Sequence, residues 1–498
     1  MFRTLALLAI SGAALNGCTT NGGEHIARID HVVVIYAENR SFDHLYGMFP
    51  GAEGIAQATD EEKTQLDLDG QPLPYLPPTY EHRKPAREYP TARLPNGPFR
   101  IDAPPINRRM DEVLPSPWHR FYQNREQIAG AKNNKFVALS NVGAWTMGYF
   151  DGSSMRLWIW AREYTLADHF FMAAYGGSFL NHQWLICACT PRDTDAPISA
   201  RAKEDDQGNL VRRGNSPKSI MDGPVRLFDG RVTPDGFIVN TSQPPYQPSK
   251  IAPMPGSPQY ANPSKHPVPP LREKTIGDTL SEKGITWVWY AGAWNAALED
   301  GMQDAKAKRL VIDARKVKGS PVFQTHHQPF NYYARFAPGT ADRAIHLKDE
   351  KEFFVAIDNG TLPQVAFLKP AGRYTEHPAY TDVMSGDEHI AMILDRLRKS
   401  PQWRSMAVII TYDENGGFWD HVPPPSGPGW SDRWGPGTRV PTIIVSPFAK
   451  RGYVDKTPYD TTSILKFLTR RFNLQPLPGM RAKMGDLTNA FDFSMEVE

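Results

Sequence analysis

Two pairs of side chains, one of a carboxylate with an amide and one of two carboxylates, lie far apart in the sequence and could together hold a divalent cation. Glu38 and Asn39 form the first pair. Asp413 and Glu414 form the second, and each pair follows an apolar run. Three carboxylates brought together without a cation would raise one another's pKa, and a bound metal removes that cost. Because every ligand atom would be an oxygen, the set favours Ca²⁺, Mg²⁺ or Mn²⁺ over Zn²⁺. Each pair taken alone could instead be a solvated loop or a helix cap.

A serine that could act as a nucleophile follows two glycines. Ser178 comes directly after this Gly-Gly pair, and Asn181 and His182 could lie one helical turn further on. A serine beside a metal ion can lose its proton and attack a phosphoryl group. The segment is not the Gly-x-Ser-x-Gly elbow of esterases, because Leu180 fills the place of the last glycine. The alternative is a glycine turn in which Ser178 only caps a helix.

Several of the 14 histidines stand in settings that suit phosphoryl chemistry. His119 lies between Trp118 and Arg120, His326 and His327 are adjacent, and His377 follows a predicted strand. An imidazole near a phosphoryl group can donate hydrogen bonds to its oxygens or protonate a leaving alkoxide. Each of these residues taken singly could instead be a structural histidine with its hydrogen bonds satisfied.

The elements that must position these side chains are predicted to alternate between strand and helix. The β-branched or apolar runs that predict buried strands are residues 31–36, 286–290, 364–368, 406–411 and 440–446. Ser385 to Glu388 forms a capping box before one amphipathic helix, and Asp460 can cap another. This alternation predicts an α/β fold with a mostly parallel central sheet flanked by helices. Ligands of such sheets bind beyond the carboxyl ends of the strands, where both acidic pairs fall.

Long proline-rich segments interrupt this pattern. We expect residues 18–498 to form a single domain with insertions near residues 66–117 and 190–272. Ten prolines fall between residues 243 and 270. Structureless loops of this length are uncommon in compact domains and are often functional. We interpret the insertions as a cap or wall over the strand ends rather than as linkers between domains.

The overall composition excludes several classes of protein. The 498 residues include 56 Lys and Arg against 54 Asp and Glu, a formal net charge of +2. Such a balance gives no electrostatic case for a nucleic-acid partner. No run of 18 or more apolar residues is present, which argues against a polytopic membrane protein. Hydrophobic residues make up 40% of the chain, which rules out a disordered polyelectrolyte.

The first residues resemble an export signal. Residues 1–17 carry Arg3 and then a short apolar stretch, and the segment ends on Gly17 before Cys18. This resembles a bacterial lipoprotein signal in which Cys18 would be lipidated and would tether the protein to a membrane. The alternative is an ordinary cleaved secretory signal. The sequence therefore predicts an exported protein, either a periplasmic or outer-membrane-anchored lipoprotein or a secreted one.

The two remaining cysteines are separated by one residue. Their spacing would put Cys187 and Cys189 on one face of a strand. Two thiols are too few for a zinc site, so we expect buried apolar packing, with a labile disulfide as the alternative.

Three motifs in the chain resemble those of the bacterial phosphoesterase family, which includes phospholipases C and the respiratory-burst-inhibiting type of acid phosphatase. They are residues 38–44, 411–417 and 485–491, and the resemblance spans about Ile29 to Phe493. It implies a core similar to that of alkaline phosphatase and the arylsulfatases. It also implies one divalent metal ion held by Glu38, Asn39, Asp413 and Glu414.

The segment around Ser178 resembles the nucleophile segment of the acid-phosphatase branch. The resemblance therefore implies metal-assisted phosphomonoester hydrolysis through a phosphoseryl intermediate, with His377 or His326 protonating the leaving alcohol. The residues expected to bind the phosphate-ester substrate are His119, Asn181, His182 and His327. Three alternatives remain open: a phospholipase C acting on phosphodiester headgroups, a sulfate-ester hydrolase, and a surface lipoprotein that binds a ligand without turnover.

Overall fold

The computed structural model describes residues 25–494, and a large mixed β-sheet runs through its centre. The strands are β1 (His31–Ala37), β2 (Tyr80–Glu81), β3 (Lys84–Pro85), β4 (Phe99–Arg100), β5 (Gly148–Tyr149), β6 (Thr165–Ala167), β7 (Phe170–Phe171), β8 (Pro253–Met254), β9 (Ser257–Ala261), β10 (Trp287–Ala291), β11 (Leu347–Asp349), β12 (Val365–Lys369), β13 (Met406–Tyr412), β14 (Thr442–Val445), β15 (Tyr453–Asp455) and β16 (Tyr459–Asp460). No helix within residues 25–494 is long and apolar enough to span a bilayer.

The helices cover this sheet. They are α1 (Phe42–Tyr46), α2 (Asp60–Lys63), α3 (Phe121–Ile128), α4 (Arg156–Glu163), α5 (Ser178–Cys187), α6 (Ile276–Glu282), α7 (Trp294–Met302), α8 (Ala341–His346), α9 (Glu350–Asn359), α10 (Val383–Lys399) and α11 (Thr461–Phe472). Short 3₁₀ turns link many of them, including Thr325–His327.

The central sheet confirms the predicted α/β fold. Its strand order is β11-β10-β12-β1-β13-β14-β6-β15. The first five strands in this order run parallel, as does the pair β6 and β15. β14 is antiparallel to both of its neighbours. All five predicted runs contain strands, with bounds that differ by a few residues.

The register of the central strands sets the level at which the chain leaves the sheet. β1, β12 and β13 are almost entirely buried, as continuous apolar runs predict for strands covered on both faces. In the β1–β13 pairing, Ala37 lies opposite Tyr412. The next residues, Glu38 and Asp413, therefore leave the carboxyl edge side by side.

Of the two predicted helix starts, one is right and one is displaced. Asp460 caps α11 as expected, with its side chain accepting from the Thr462 amide. The cap of α10 is Asp382, whose side chain accepts from the Ser385 amide. Ser385 is thus a residue of the first turn and not the cap, because Asp382 offers a carboxylate one turn earlier. The apolar face of α10 is buried as predicted.

The two proline-rich segments fold against the main core. Ile101 and Leu114 of the first segment, and Leu210 and Val232 of the second, belong to the same buried cluster as the central strands. A second, smaller cluster that includes Leu76 lies beneath the first segment. The segments contain short strands and turns rather than long regular elements. The division into one domain with two insertions stays a prediction.

The expectation of two unbridged thiols on a strand is wrong. Cys187 is the last residue of α5, and a disulfide joins it to Cys189. Ala188 between them adopts a left-handed conformation (φ +48°), which ends the helix and reverses the chain. The Cα atoms are consequently 5.1 Å apart, within the usual range for a disulfide. The predicted signal segment 1–17 and Cys18 lie outside the described residues.

Candidate active site

The two acidic pairs meet at the carboxyl edge of β1 and β13. The Asp413 amide donates to the Ala37 carbonyl over 3.1 Å, which continues the sheet pairing by one residue. Asn39 then turns in a left-handed conformation (φ +67°), and its amide donates to Asp413 Oδ1 over 3.1 Å. Gly416 packs so closely that an added Cβ would lie 2.2 Å from the Asn39 carbonyl oxygen. The two strand ends are therefore held together by backbone contacts and by the Asp413 side chain.

Ser178 faces this junction from the first turn of α5. Its hydroxyl oxygen lies 3.4 Å from Asn39 Oδ1 and 3.4 Å from Glu414 Oε1, and the residue is 4% exposed. Gly177, not Ser178, is the cap residue of the helix, so the alternative of a purely capping serine does not describe the structure. The preceding Gly176 (φ +84°) packs where a Cβ would lie 2.1 Å from the Phe121 amide nitrogen. The hydroxyl is thus presented at a helix N-terminus, which favours negative charge.

Glu38 points toward the histidine pair of the turn 325–327. His327 Nε2 lies 3.3 and 3.2 Å from the two Glu38 carboxylate oxygens, and His326 Nε2 lies 3.5 Å from Oε1. Burial lowers the pKa of His327 to about 3 and also lowers that of His326. Both rings are therefore neutral at pH 7 and can serve as ligands or hydrogen-bond partners.

His119 and His377 form the other wall of the site. His119 Nε2 lies 3.2 Å from Asn39 Nδ2 and 3.8 Å from Glu414 Oε1. The two imidazole rings are 5.5 Å apart. His377 Nδ1 donates to the Pro378 carbonyl over 2.5 Å, which leaves Nε2 as the nitrogen available for proton transfer.

Asn181 and His182 support the serine from behind. The Asn181 amide donates to the carbonyls of Ala174 and Gly176, each over 3.1 Å. His182 Nδ1 donates to the Ser178 carbonyl over 2.7 Å. These bonds hold the glycine turn and the first turn of α5. The structure therefore gives both residues a positioning role, and direct contact with substrate stays a prediction for them.

Two residues that the sequence did not single out complete the site. The Lys369 ammonium is fully buried, 3.6 Å from Glu38 Oε2 and 3.7 Å from Asp413 Oδ2. The Tyr380 hydroxyl donates to Glu38 Oε2 over 3.2 Å. Lys369 ends the apolar strand β12 at the same sheet edge as the acidic pairs. A charged residue at the end of an apolar run is the sequence pattern from which Lys369 could have been identified.

Burial and mutual repulsion make these carboxylates receptive to a cation. Burial raises the pKa of Asp413 to about 7, although Lys369 acts in the opposite direction. Burial and the neighbouring Asp413 charge raise the pKa of Glu414 well above its usual range. Burial also acts to raise the pKa of Glu38, but the charges of Lys369 and the surrounding histidines outweigh it and hold that pKa well below its usual range.

Several buried atoms that have no hydrogen-bond partner among residues 25–494 fit a metal ion at this place. They are Asp413 Oδ2, His182 Nε2, His327 Nδ1 and both ring nitrogens of His326. Ligand atoms of Glu38, His326 and His327 lie within 4.8 Å of one another. The donors here therefore include imidazole nitrogen beside oxygen, and such a mixed set suits transition metals such as Mn²⁺ or Zn²⁺ as well as the hard cations that oxygen alone favours.

A second group of acidic and histidine side chains, of the kinds that bind metals, is already paired with an arginine. Ligand atoms of Asp43, Asp420 and His421 also lie within 4.8 Å of one another. The Arg439 guanidinium donates to Asp420 Oδ1 over 3.0 Å and to Asp43 Oδ1 over 3.1 Å. Its single charge offsets one of the two carboxylate charges, and His421 Nδ1 donates to Asp43 Oδ2 over 2.7 Å. The group is therefore a buried ion-pair network that ties α1 to the segment after β13.

Replacing Lys369 by methionine is expected to destabilise the metal-free protein by about 3 kcal/mol, because Glu38 and Asp413 would remain buried without their counter-charge. Saturating Mn²⁺ should recover part of this loss, since the ion supplies the missing charge. Denaturant unfolding in EDTA and in Mn²⁺ measures both effects. Lys351→Met, at an exposed position of α9, is the control. Equal stability of the two variants in EDTA would contradict this role for Lys369.

Glu376, next to His377, is a buried acid on the wall of the site. The Tyr412 hydroxyl donates to its Oε2 over 2.9 Å, and Oε1 has no hydrogen-bond partner in the described part of the chain. Burial, together with the charge of Asp387, raises the pKa of Glu376 from 4.5 to about 8. The folded protein therefore holds this side chain protonated at neutral pH.

The raised pKa of Glu376 predicts a loss of stability with rising pH. Between pH 4.5 and about 8 the unfolded chain releases this proton while the folded protein retains it, so the free energy of unfolding falls across that window. Glu376→Gln should remove this fall, on the order of a few kcal/mol. Denaturant unfolding at pH 5 and pH 8 provides the check, with the exposed Glu388→Gln as control. An unchanged pH dependence in Glu376→Gln would refute the assignment.

Comparison with known proteins gives a family match over most of the chain. Residues 29–475 match the sequence model of the Phosphoesterase family. The chain is 26% identical to the hemolytic phospholipase C of Pseudomonas aeruginosa, over 94% of this chain and 56% of that one. It is also 26% identical to the non-hemolytic phospholipase C of Burkholderia pseudomallei, over 94% of this chain and 60% of that one. The chain thus spans little more than half the length of these two relatives.

Among solved structures, the chain matches a protein of the alkaline phosphatase superfamily from Vibrio parahaemolyticus. The identity is 11%, the match covers 78% of this chain and 75% of that one, and the TM-score is 0.33.

Proposed function

The chain belongs to the Phosphoesterase family, and from this premise we propose that it hydrolyses phosphoric ester bonds with Ser178 as the nucleophile. The observation that carries the proposal is the position of the Ser178 hydroxyl, 3.4 Å from both Asn39 Oδ1 and Glu414 Oε1. A nearly buried hydroxyl at a helix N-terminus, surrounded by carboxylates and neutral imidazoles, suits attack on a phosphoryl group.

The chain's own residues position the reacting groups. We assign Glu38, Asn39, Asp413 and Glu414 as the residues that would hold one divalent cation, with His326 and His327 within reach of Glu38. Such a cation, when bound, supplies positive charge that keeps nearby carboxylates ionised and neutralises phosphoryl oxygens. The Glu414 carboxylate, 3.4 Å from Ser178 Oγ, accepts the hydroxyl proton as the oxygen attacks. The positive end of α5 stabilises the charge that develops there.

The histidines act on the phosphoryl group and on the departing alcohol. We assign protonation of the leaving oxygen to His377 through Nε2 or to His326, whose ring nitrogens have no hydrogen-bond partner among residues 25–494. The ring that donates must first carry a second proton, and the negative charge of a bound phosphoester favours this imidazolium form. His119, with Nε2 beside Asn39, and His327 face the same space and would orient the phosphate. Water then attacks the phosphoserine from the side that the alcohol left, which regenerates Ser178 and releases phosphate.

Two substrate classes follow from different observations. The resemblance of the Ser178 segment to acid phosphatases favours phosphomonoesters. The names of the two relatives above favour phospholipid diesters and hence a phospholipase C. Rates on p-nitrophenyl phosphate, a sugar monophosphate and phosphatidylcholine, measured with metal-defined enzyme at acidic and neutral pH, discriminate between the classes. Absence of hydrolysis of all three by the metal-loaded protein would contradict the proposed function.

We also propose that the protein is exported. The predicted signal at residues 1–17 motivates this, and the Cys187–Cys189 disulfide suits an oxidising compartment. Mass spectrometry of the mature N-terminus decides between a lipidated Cys18 and an ordinary cleaved signal. A full-length chain retained in the cytoplasm would refute export.

A further inference from the structure

A cavity of about 600 Å³ lies beside the candidate active site, between the two proline-rich segments. Four arginines line it: Arg83 from the first segment, Arg213 and Arg226 from the second, and Arg120 just before α3. Trp118 forms an aromatic part of the wall. We call this cavity the arginine pocket. The assigned site residues do not include any of these side chains.

The arginine pocket adjoins the groups that would handle the phosphoryl group. Trp118 and Arg120 flank His119, whose Nε2 lies 3.2 Å from Asn39 Nδ2. The glycine turn before Ser178 packs directly on the same stretch, since a Cβ on Gly177 would lie 2.7 Å from the His119 carbonyl oxygen. The arginine pocket and the glycine turn before Ser178 therefore both border the segment 118–121.

The arginine pocket carries a net positive charge. Asp229 is the acidic residue of its lining, and Arg120 Nε neutralises it over 2.9 Å. Arg226 Nε is buried and has no hydrogen-bond partner within residues 25–494. Arg213 uses Nε to donate to the Leu227 carbonyl over 3.0 Å, which leaves its terminal nitrogens free to donate elsewhere. Arg83 is exposed at the rim. Three of the four guanidinium charges are thus without an acidic partner in the lining.

On the basis of the phosphoester hydrolysis proposed above, we propose that the arginine pocket binds a second phosphate group on the alcohol portion of the substrate. Guanidinium groups bind phosphate through paired, charge-assisted hydrogen bonds, and several converging on one space select for a doubly charged group. The preferred substrate is then a phosphoester whose leaving alcohol carries another phosphate. This chemistry occurs both in soluble sugar bisphosphates and in phosphorylated inositol lipids.

The test compares matched substrates that differ by one phosphate. Wild-type kcat/KM should be about tenfold or more higher for fructose 1,6-bisphosphate than for fructose 6-phosphate. Arg226→Gln and Arg213→Gln should each lower that preference about fivefold, while the rate on p-nitrophenyl phosphate stays within about twofold of wild type. Arg404→Gln, exposed before β13 at the opposite sheet edge, is the matched control and should keep the preference. Raising the salt concentration should lower the preference in wild type.

A parallel pair distinguishes the two sources of the second phosphate. Release of inorganic phosphate from phosphatidylinositol 4,5-bisphosphate is compared with release from phosphatidylinositol 4-phosphate in detergent micelles, with the same variants. When one phosphomonoester is cleaved, the leaving alcohol carries a second phosphomonoester in the first lipid and none in the second. If only the micellar pair shows a higher kcat/KM for the substrate with the extra phosphate, and the arginine variants lose it, the substrate is a lipid. If only the soluble pair shows this behaviour, the substrate is a free phosphate ester. No preference in either pair, or a preference that both arginine variants retain, would overturn the proposal.

A binding measurement separates this proposal from the proposed function. Calorimetric titration of the metal-loaded Ser178→Ala protein with fructose 1,6-bisphosphate should give an affinity that Arg226→Gln lowers about fivefold or more. If wild type hydrolyses no ester but this difference is found, the proposed function fails and the arginine pocket stands. If hydrolysis is found and the two affinities are equal, the arginine pocket fails and the proposed function stands.

Discussion

Ser178→Ala is expected to lower kcat for phosphoester hydrolysis at least about 10³-fold, because it removes the only hydroxyl that we assign as nucleophile. The side chain is small and makes only long contacts, at 3.4 Å, to Asn39 and Glu414. Its loss should therefore leave the fold and metal content unchanged. Steady-state kinetics, circular dichroism and metal analysis measure the three quantities on one preparation.

The control for this variant is Ser154→Ala, at an exposed position before α4. It should retain wild-type kcat. Acid-quenched wild-type enzyme should carry one added phosphoryl group on the peptide that contains Ser178, and Ser178→Ala should carry none. Wild-type-like turnover in Ser178→Ala would show that another group attacks the phosphorus.

Asp413→Asn is expected to abolish stoichiometric metal binding and to lower kcat about 10³-fold. Asp413 lies at the centre of the two strand ends: Oδ1 accepts from the Asn39 and Glu414 amides, and Oδ2 has no hydrogen-bond partner among the residues that the structure describes. An amide has the same shape but no charge, so it cannot offset a divalent cation. It must also turn its NH₂ group either toward the Lys369 ammonium or toward those backbone amides.

Metal content by elemental analysis and kcat with added Mn²⁺ or Ca²⁺ test this variant. Asp206→Asn, exposed in the second proline-rich segment, is the control and should match wild type in both measurements. Full metal content and full kcat in Asp413→Asn would remove Asp413 from the metal site.

The convergence of the two acidic pairs could be predicted because strands have a simple period and direction. Continuous apolar runs identified β1 and β13, and parallel strands deliver their next residues to one sheet edge. Local sequence also predicted the Ser178 segment, since two glycines before a serine indicate a turn that needs unusual backbone freedom. The Ser178 hydroxyl points toward Asn39 and Glu414 because of how α5 packs on the sheet. No local sequence pattern predicts that packing.

Residues that belong to no sequence motif, and whose role depends on where the fold places them, were harder to predict. Lys369 reaches Glu38 and Asp413 only because β12 ends at the same level as β1, and strand register is a tertiary property. Tyr380 has no distinctive neighbours in sequence. The disulfide between Cys187 and Cys189 depends on the left-handed Ala188, a conformation that alanine rarely adopts and that propensity does not predict.

The most direct test of the account is a crystal structure of the protein with Mn²⁺ and vanadate, with the metal located by anomalous scattering. We predict a manganese peak among the side chains of Glu38, Asn39, Asp413 and Glu414, and vanadium bonded to Ser178 Oγ with His119 and His377 around its oxygens. Manganese held elsewhere, or vanadium separated from Ser178, would contradict it.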